Sequence, residues 1–121
     1  MRKLASIQMI DKIERIPDAD RIVLATIMGW KCVVPIGAFQ EGDKCVYFEV
    51  DAFLPMEERY AFLKSSSYKN NEFMGEGYRI KTQTLRGQLS QGLAQPLGIF
   101  PEIDSNIEVG TDVTDILNVK K

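Results

Sequence analysis

The sequence predicts a mostly β fold, a small closed β-barrel with one or two short helices and a long loop, on three observations. Short runs of alternating or β-branched residues recur along the chain, glycines stand between them at turn positions, and only brief segments read as helical. At 121 residues the chain suits a single domain, 1–121, able to bury a core without disulfides or metal.

Taken in order, residues 4–10 alternate enough for a first strand, which 11–15 continue toward a break at Pro17, flanked by Asp18 and Asp20. Residues 21–28 are rich in β-branched side chains, and Gly29 separates them from a second run, 30–36, so a hairpin about Gly29 is expected. Gly42-Asp43 is a turn before 44–50, where Val46, Phe48 and Val50 share one face and Cys45, Tyr47 and Glu49 the other, with Tyr47 placed for exposure. A short helix is expected around 57–63, ended by Ser65, Ser66 and Ser67, followed by a long polar loop over 68–77 that interleaves aromatics with Lys69. Two β-segments, 78–85 and 89–94, meet at Arg86-Gly87-Gln88. Pro96 to Pro101 is a turn or one-turn helix closing the core, and 111–117 a short helix capped by Thr111 or Asp112. Four or five strands with this spacing suit an OB-type barrel, a fold that often binds oligonucleotides on its second and third strands, here 21–28 and 30–36.

Charge is unevenly spread. The net charge is −2, and six acids in 41–58 face Lys44 alone, yet 77–101 contains no Asp or Glu and carries Arg79, Lys81 and Arg86. A phosphate backbone is the natural partner of such a local positive field. Interleaved Thr82, Thr84, Gln88, Ser90 and Gln91 donate and accept hydrogen bonds, which suits phosphate, ribose or base edges; the plainer reading is a solvated strand face.

Several function classes are disfavoured. The chain has no histidine, and its two cysteines, Cys32 and Cys45, lie in apolar strand-like runs, so neither a zinc site nor an acid–base pair can be assembled. Two buried thiols in a reducing compartment are expected. No apolar run reaches the length of a membrane span, which with the free thiols gives a cytoplasmic protein without a membrane partner.

The runs Ile16-Pro17-Asp18-Ala19-Asp20-Arg21-Ile22, Gly29-Trp30-Lys31-Cys32-Val33-Val34, Gly42 to Asp51 with Leu54-Pro55, Arg79-Ile80-Lys81-Thr82, and Leu85-Arg86-Gly87-Gln88-Leu89-Ser90-Gln91-Gly92-Leu93 together resemble the N-terminal OB module of a family of ATP-dependent RNA ligases. More distantly, the Pro-x-Ala-Asp-Arg start and the Arg-Gly-x-x-Ser-x-Gly turn resemble tRNA-binding OB domains. The resemblance implies a nucleotidyltransferase domain following in the same parent chain, whose Lys-x-Asp-Gly lysine is adenylylated. This sequence has no Asp-Gly pair, so ATP and a divalent metal are expected only with that domain, and no catalysis and no cofactor from this chain alone.

The expected role is to hold RNA or a nicked RNA-containing duplex for sealing. Arg79, Lys81 and Arg86 are the expected phosphate contacts, with Lys31 and Lys69 secondary. Gln88, Ser90 and Gln91 are the expected hydrogen-bonding partners, and Trp30 and Tyr68 the stacking platforms. The competing expectation is a protein-docking module without nucleic-acid contact.

Overall fold

The computed structural model describes residues 3–121. Strands β1 (Ala5–Met9) and β2 (Lys12–Arg15) form one run bent at Ile10-Asp11. At the bend Ile10 N–H donates to Asp43 O (2.8 Å) and Asp11 N–H to Thr26 O (2.9 Å), so the chain changes neighbours while keeping its backbone groups bonded. β1 pairs antiparallel with β5 (Lys44–Phe48), and β5 with β11 (Leu93–Pro96). β2 pairs with β3 (Ile22–Ile27), and β3 with β4 (Trp30–Pro35). β8 (Gly75–Arg79) lies between β6 (Phe53–Pro55) and β7 (Tyr68–Asn71), while β9 (Gln83–Leu85) and β10 (Gln88–Ser90) form a separate hairpin.

The mostly β expectation holds; among the described residues the strands fall into four small sheets, with no single ladder running around a barrel. Between β4 and the turn joining β10 to β11, the contact is Gln91 N–H donating to Lys31 O (2.8 Å) and Val33 N–H donating to Ser90 Oγ (2.9 Å). A side-chain oxygen stands there where a ladder would use a carbonyl.

β5 explains the rest of the packing. Val46 and Phe48 enter one core with Leu4, Ile7, Leu54, Tyr60, Tyr78 and Phe100, while Cys45 and Tyr47 enter a second with Ile10, Val23, Ala25, Ile27 and Val34. A strand buried on both faces reads as a continuous apolar run, which Cys45-Val46-Tyr47-Phe48 is. Tyr47 is therefore not exposed, as its alternation with Glu49 suggested; it is 1% accessible. Both cysteines are free and buried, and burial pushes the Cys32 thiol up to about 11 and the Cys45 thiol up to about 12.

Both glycine hairpins form. Met28 and Gly29 (φ 53° and 82°) connect β3 to β4, and Arg86 and Gly87 (φ 52° and 78°) connect β9 to β10. Positive φ at both central residues is what a two-residue loop of the I′ type needs. The run expected over 78–85 is broken, with β8 ending at Arg79 and β9 beginning at Gln83.

Two expectations are corrected. The long loop over 68–77 is a hairpin, β7–β8, whose turn is held by Asn71 Oδ1 accepting from the N–H groups of Phe73 (2.7 Å) and Met74 (3.2 Å). β7 is an edge strand with exposed side chains, so no apolar alternation marked it. The helix expected over 111–117 is only a turn. Asp112 Oδ1 does accept from Thr114 N–H (3.0 Å), but Val113 N–H donates to Ala5 O (2.9 Å), committing this backbone to β1. The earlier helical segment is present as a 3-10 helix, Glu58–Leu63, running into α1 (Lys64–Ser67), so the serines form its last turn instead of ending it. A one-turn 3-10 helix, Leu97–Ile99, then delivers Phe100 to the core.

Arg59 ties this helical segment to the chain after β11. It donates to Glu57 (2.7 Å) and through both terminal nitrogens to Glu102 (2.8 Å each), with its guanidinium 4.7 Å from the Phe100 ring centroid and 5.4 Å from that of Tyr60. The hydrogen bonds from Arg59 hold the Glu102 carboxyl down to about 2, from an ordinary 4.5. That depressed pKa stabilises the fold above the ordinary carboxylate range, and the contribution is lost as pH falls from there toward 2. Arg59→Lys removes the planar fork and the ring stacking together, so we expect a loss of about 1–3 kcal/mol in urea unfolding. The difference from wild type should shrink as pH is lowered from 5 to 3; a constant difference would assign the loss to stacking alone.

Candidate nucleic-acid interface

The surface around Trp30 is built by the turn Ser90-Gln91-Gly92. Ser90 is buried and accepts from Val33 N–H; Gln91 donates its N–H to Lys31 O, and its carbonyl accepts from the Tyr47 hydroxyl at 2.7 Å. Gly92 has φ 89°, and a Cβ there would stand 2.3 Å from the Tyr47 hydroxyl oxygen and 2.8 Å from Phe48 O. Only glycine meets both requirements. The turn is thereby fixed against β4 on one side and β5 on the other.

Beside it lies a cleft of about 200 Å3 lined by Trp30, Tyr47, Glu49, Val50, Thr82 and Gln91. Trp30 follows the positive-φ turn of the β3–β4 hairpin and is 43% accessible, so the indole is a wall of the cleft and not a core residue. Thr82 lines this cleft, while its neighbours Lys81 and Gln83 line a second one with Leu63, Ser67, Gly92 and Leu93. Burial pushes the Tyr47 hydroxyl well above its ordinary range, so it stays a hydrogen-bond donor to Gln91.

The structure brings some of the expected residues together and separates others. Trp30 and Gln91 share the cleft, and Lys81 is exposed next to Thr82. Arg79 lies over the Phe53 ring at 5.8 Å and reaches Asp51 O at 3.4 Å, next to Val50 of the cleft. Arg86 is at the far tip of the β9–β10 hairpin, sharing a groove with Ala19, Asp20, Arg21 and Ile22. Lys31 points away, donating to Thr26 Oγ1 (2.9 Å) and pairing with Glu14 (3.6 Å). Gln88 donates to the neighbouring Leu89 O (2.9 Å), and Ser90 serves the turn. Lys69 and Tyr68 are on the β7 edge; a hydrogen bond to Glu76 raises the Tyr68 hydroxyl above its ordinary range.

Arg79, Lys81, Arg86 and Lys69 have no carboxylate partner among the described residues, where the ion pairs are those of Lys12, Lys31 and Arg59. Thr82 is among the polar residues of the basic stretch that the sequence marks as able to contact a nucleic acid, and it lines the cleft. Arg21 beside Arg86 was not singled out from sequence, because it depends on a contact between segments more than sixty positions apart. Among the described residues no group of three or more His, Cys, Asp or Glu side chains could hold a metal ion, and no helix is long and apolar enough to cross a membrane.

A family model described as an OB-fold domain matches residues 4–97. The chain belongs to the OB-fold domain family. Among solved structures it is similar to Naegleria gruberi RNA ligase with pyrophosphate, at 43% identity and a TM-score of 0.92 over 100% of this chain and 35% of that one. A mutant of the same ligase with AMP and manganese, and an apo mutant, each give 45% identity and a TM-score of 0.91 over 99% of this chain and 35% of theirs. The resemblance to the OB module of an RNA ligase is thus supported along the whole OB-fold chain, which spans about a third of the ligases' length. No curated protein sequence matches.

Two glycine substitutions separate strain from overlap. Gly87 has nothing within 4 Å of a built Cβ, so Gly87→Ala meets only the positive-φ penalty, about 1–2 kcal/mol. Gly92→Ala adds the overlap with Tyr47, and we expect about 3 kcal/mol or more, with a larger fall in Tm. Equal shifts would contradict the role given to the Gly92–Tyr47 contact.

Proposed function

We propose that this OB-fold chain is the nucleic-acid-holding module of an RNA ligase, keeping an RNA strand or a nicked RNA-containing duplex in position for a nucleotidyltransferase domain of the same parent protein. The observation that carries the proposal is the juxtaposition of the Trp30 cleft with the acid-free segment 77–101, in a chain 43% identical over its whole length to part of an RNA ligase. In this reading ATP and a divalent metal act at the nucleotidyltransferase domain. This chain contributes position: sealing requires a 3′-hydroxyl and an activated 5′-phosphate held close and in line.

Division of labour follows the geometry. Arg79 and Lys81 flank the cleft and take phosphates there, while Arg86 with Arg21 takes phosphates further along the strand. Trp30 stacks, and Gln91 and Thr82 offer hydrogen bonds. Lys69 and Tyr68 on the β7 edge play at most an outlying part, and Lys31, Gln88 and Ser90 support the fold around the site. A docking role for the β7–β8 hairpin is favoured by one feature, Phe73 at its tip, which is 92% accessible.

Labelled RNA followed by anisotropy tests the proposal. Arg79→Ala, Lys81→Ala and Arg86→Ala combined should weaken binding at least tenfold and lower the slope of log K against log salt by about 2, as expected for three single-strand phosphate contacts. Stability should change by about 1 kcal/mol, mostly through Arg79, which lies over the Phe53 ring, because Lys81 and Arg86 are exposed. Absence of binding to RNA, DNA or nicked duplex at low salt would contradict the proposal, whereas loss of partner-domain association in a Phe73→Ser variant would favour docking.

A further inference from the structure

We infer that Asp20, shared by two arginine-lined grooves, accepts a hydrogen bond from a ribose 2′-hydroxyl and so lets the module tell RNA from DNA. This rests on the nucleic-acid reading above and adds to it the side chain that selects the sugar.

The placement argues first. Asp20 lines a groove of about 480 Å3 with Arg21 and Arg86, and also a smaller neighbouring one of about 280 Å3 with Arg15 and Ile36. The larger falls within the range of about 300–1,000 Å3 that holds small-molecule ligands, room enough for a sugar and its phosphate. A strand crossing both grooves sets one phosphate at Arg21 and Arg86 and the next at Arg15. The sugar that joins them then lies beside Asp20, the charged side chain common to both grooves.

The charges argue next. Asp20 and the three arginines are exposed, and Asp20 pairs with none of them: among the described residues the ion pairs are those of Lys12, Lys31 and Arg59. An ionised carboxylate only accepts hydrogen bonds and repels phosphate, so its partner on a sugar–phosphate chain is a donor. Base amino groups donate, but they differ from base to base. The 2′-hydroxyl stands close to phosphate at every ribonucleotide and is missing from DNA.

The frame is set before a ligand arrives. Ala19 N–H donates to Ile16 O (3.1 Å) and Ile36 N–H to Arg21 O (2.9 Å), which hold the backbone on either side of Asp20. Arg86 is held from the other direction, at the positive-φ turn of the β9–β10 hairpin. The two segments are those of the Pro-x-Ala-Asp-Arg start and the Arg-Gly-x-x-Ser-x-Gly turn, which the fold brings to one groove.

The test compares three labelled single strands of one base sequence, each with uracil in place of thymine: RNA, DNA and 2′-fluoro RNA, whose sugar keeps the ribose pucker but has no hydroxyl proton. By anisotropy the wild-type protein should bind RNA about five- to tenfold tighter than either of the others. Asp20→Ala should bring all three within about twofold, by a loss on RNA and a gain on DNA, with Tm unchanged. Arg15→Ala and Arg21→Ala should weaken RNA and DNA alike, each lowering the slope of log K against log salt by about 0.7. An RNA-to-DNA ratio in Asp20→Ala equal to that of the wild type would overturn the inference, leaving Asp20 as a mere repulsive charge. So would equal wild-type binding of RNA and 2′-fluoro RNA, which needs no variant and assigns any preference over DNA to sugar pucker. Unchanged binding in Arg15→Ala would overturn the second phosphate position. No binding of any strand would instead overturn the nucleic-acid reading on which the inference rests.

Discussion

The contact between Gly92 and Tyr47 is the constraint on which the functional surface depends. A tyrosine buried between two sheets needs a partner for its hydroxyl, and the carbonyl of Gln91 is brought to it at 2.7 Å because Gly92 adopts φ 89° and has no side chain to collide with the ring. The same turn caps β4 through Ser90 Oγ and the Gln91 N–H. Three successive residues therefore join β4, β5 and β11, and the cleft beside Trp30 is the space left at that junction. In this account specificity of position comes from the fold's own closure chemistry, and the ligand-facing groups are the side chains that closure leaves pointing outward.

β5 divides the molecule into two cores, and this division separates stability from recognition. The larger core, with Phe48, Tyr60 and Phe100 packed ring to ring at 5.9–6.4 Å under Arg59, holds the helical segment, the β6–β8–β7 sheet and the chain after β11. The smaller core lies under β3, β4 and β11. Trp30, Gln91 and Thr82 are at the margin of the smaller one, reached by short strands and tight turns. Phe53 shows the same economy on the other side: Gly77 lets its ring lie across β8, where any Cβ would stand 2.5 Å from it, and Arg79 then covers the ring near the cleft.

Much of the fold was legible because its signals are local. The hairpin at Met28-Gly29, the turn at Arg86-Gly87, the strand over 44–48 and the one-turn helix after Pro96 are each written within a few residues, although the burial of Tyr47 on that strand's second face was not. The β7–β8 hairpin was not, because an exposed edge strand of Tyr, Lys and Asn has no apolar face to alternate. Nor was the fate of 111–117, where correct capping residues serve a turn because β1 claims the backbone. Of the site, the basic, amide-rich segment was visible in composition, and Trp30 in its place after Gly29. What composition could not divide was Ser90 from Gln91: adjacent polar residues on one turn, one accepting a strand N–H from inside the fold, the other lining the cleft. Lys31 was equally opaque, since its partner Glu14 belongs to a strand seventeen positions earlier.

The most direct test of the account is the amide and indole NMR spectrum of the labelled protein as single-stranded RNA is added. The account predicts the largest shift changes at the Trp30 indole, at 81–83 and at 91–92, with the 72–75 turn of the β7–β8 hairpin unmoved. Changes concentrated on the hairpin turn, or none near Trp30 at saturating RNA, would contradict it.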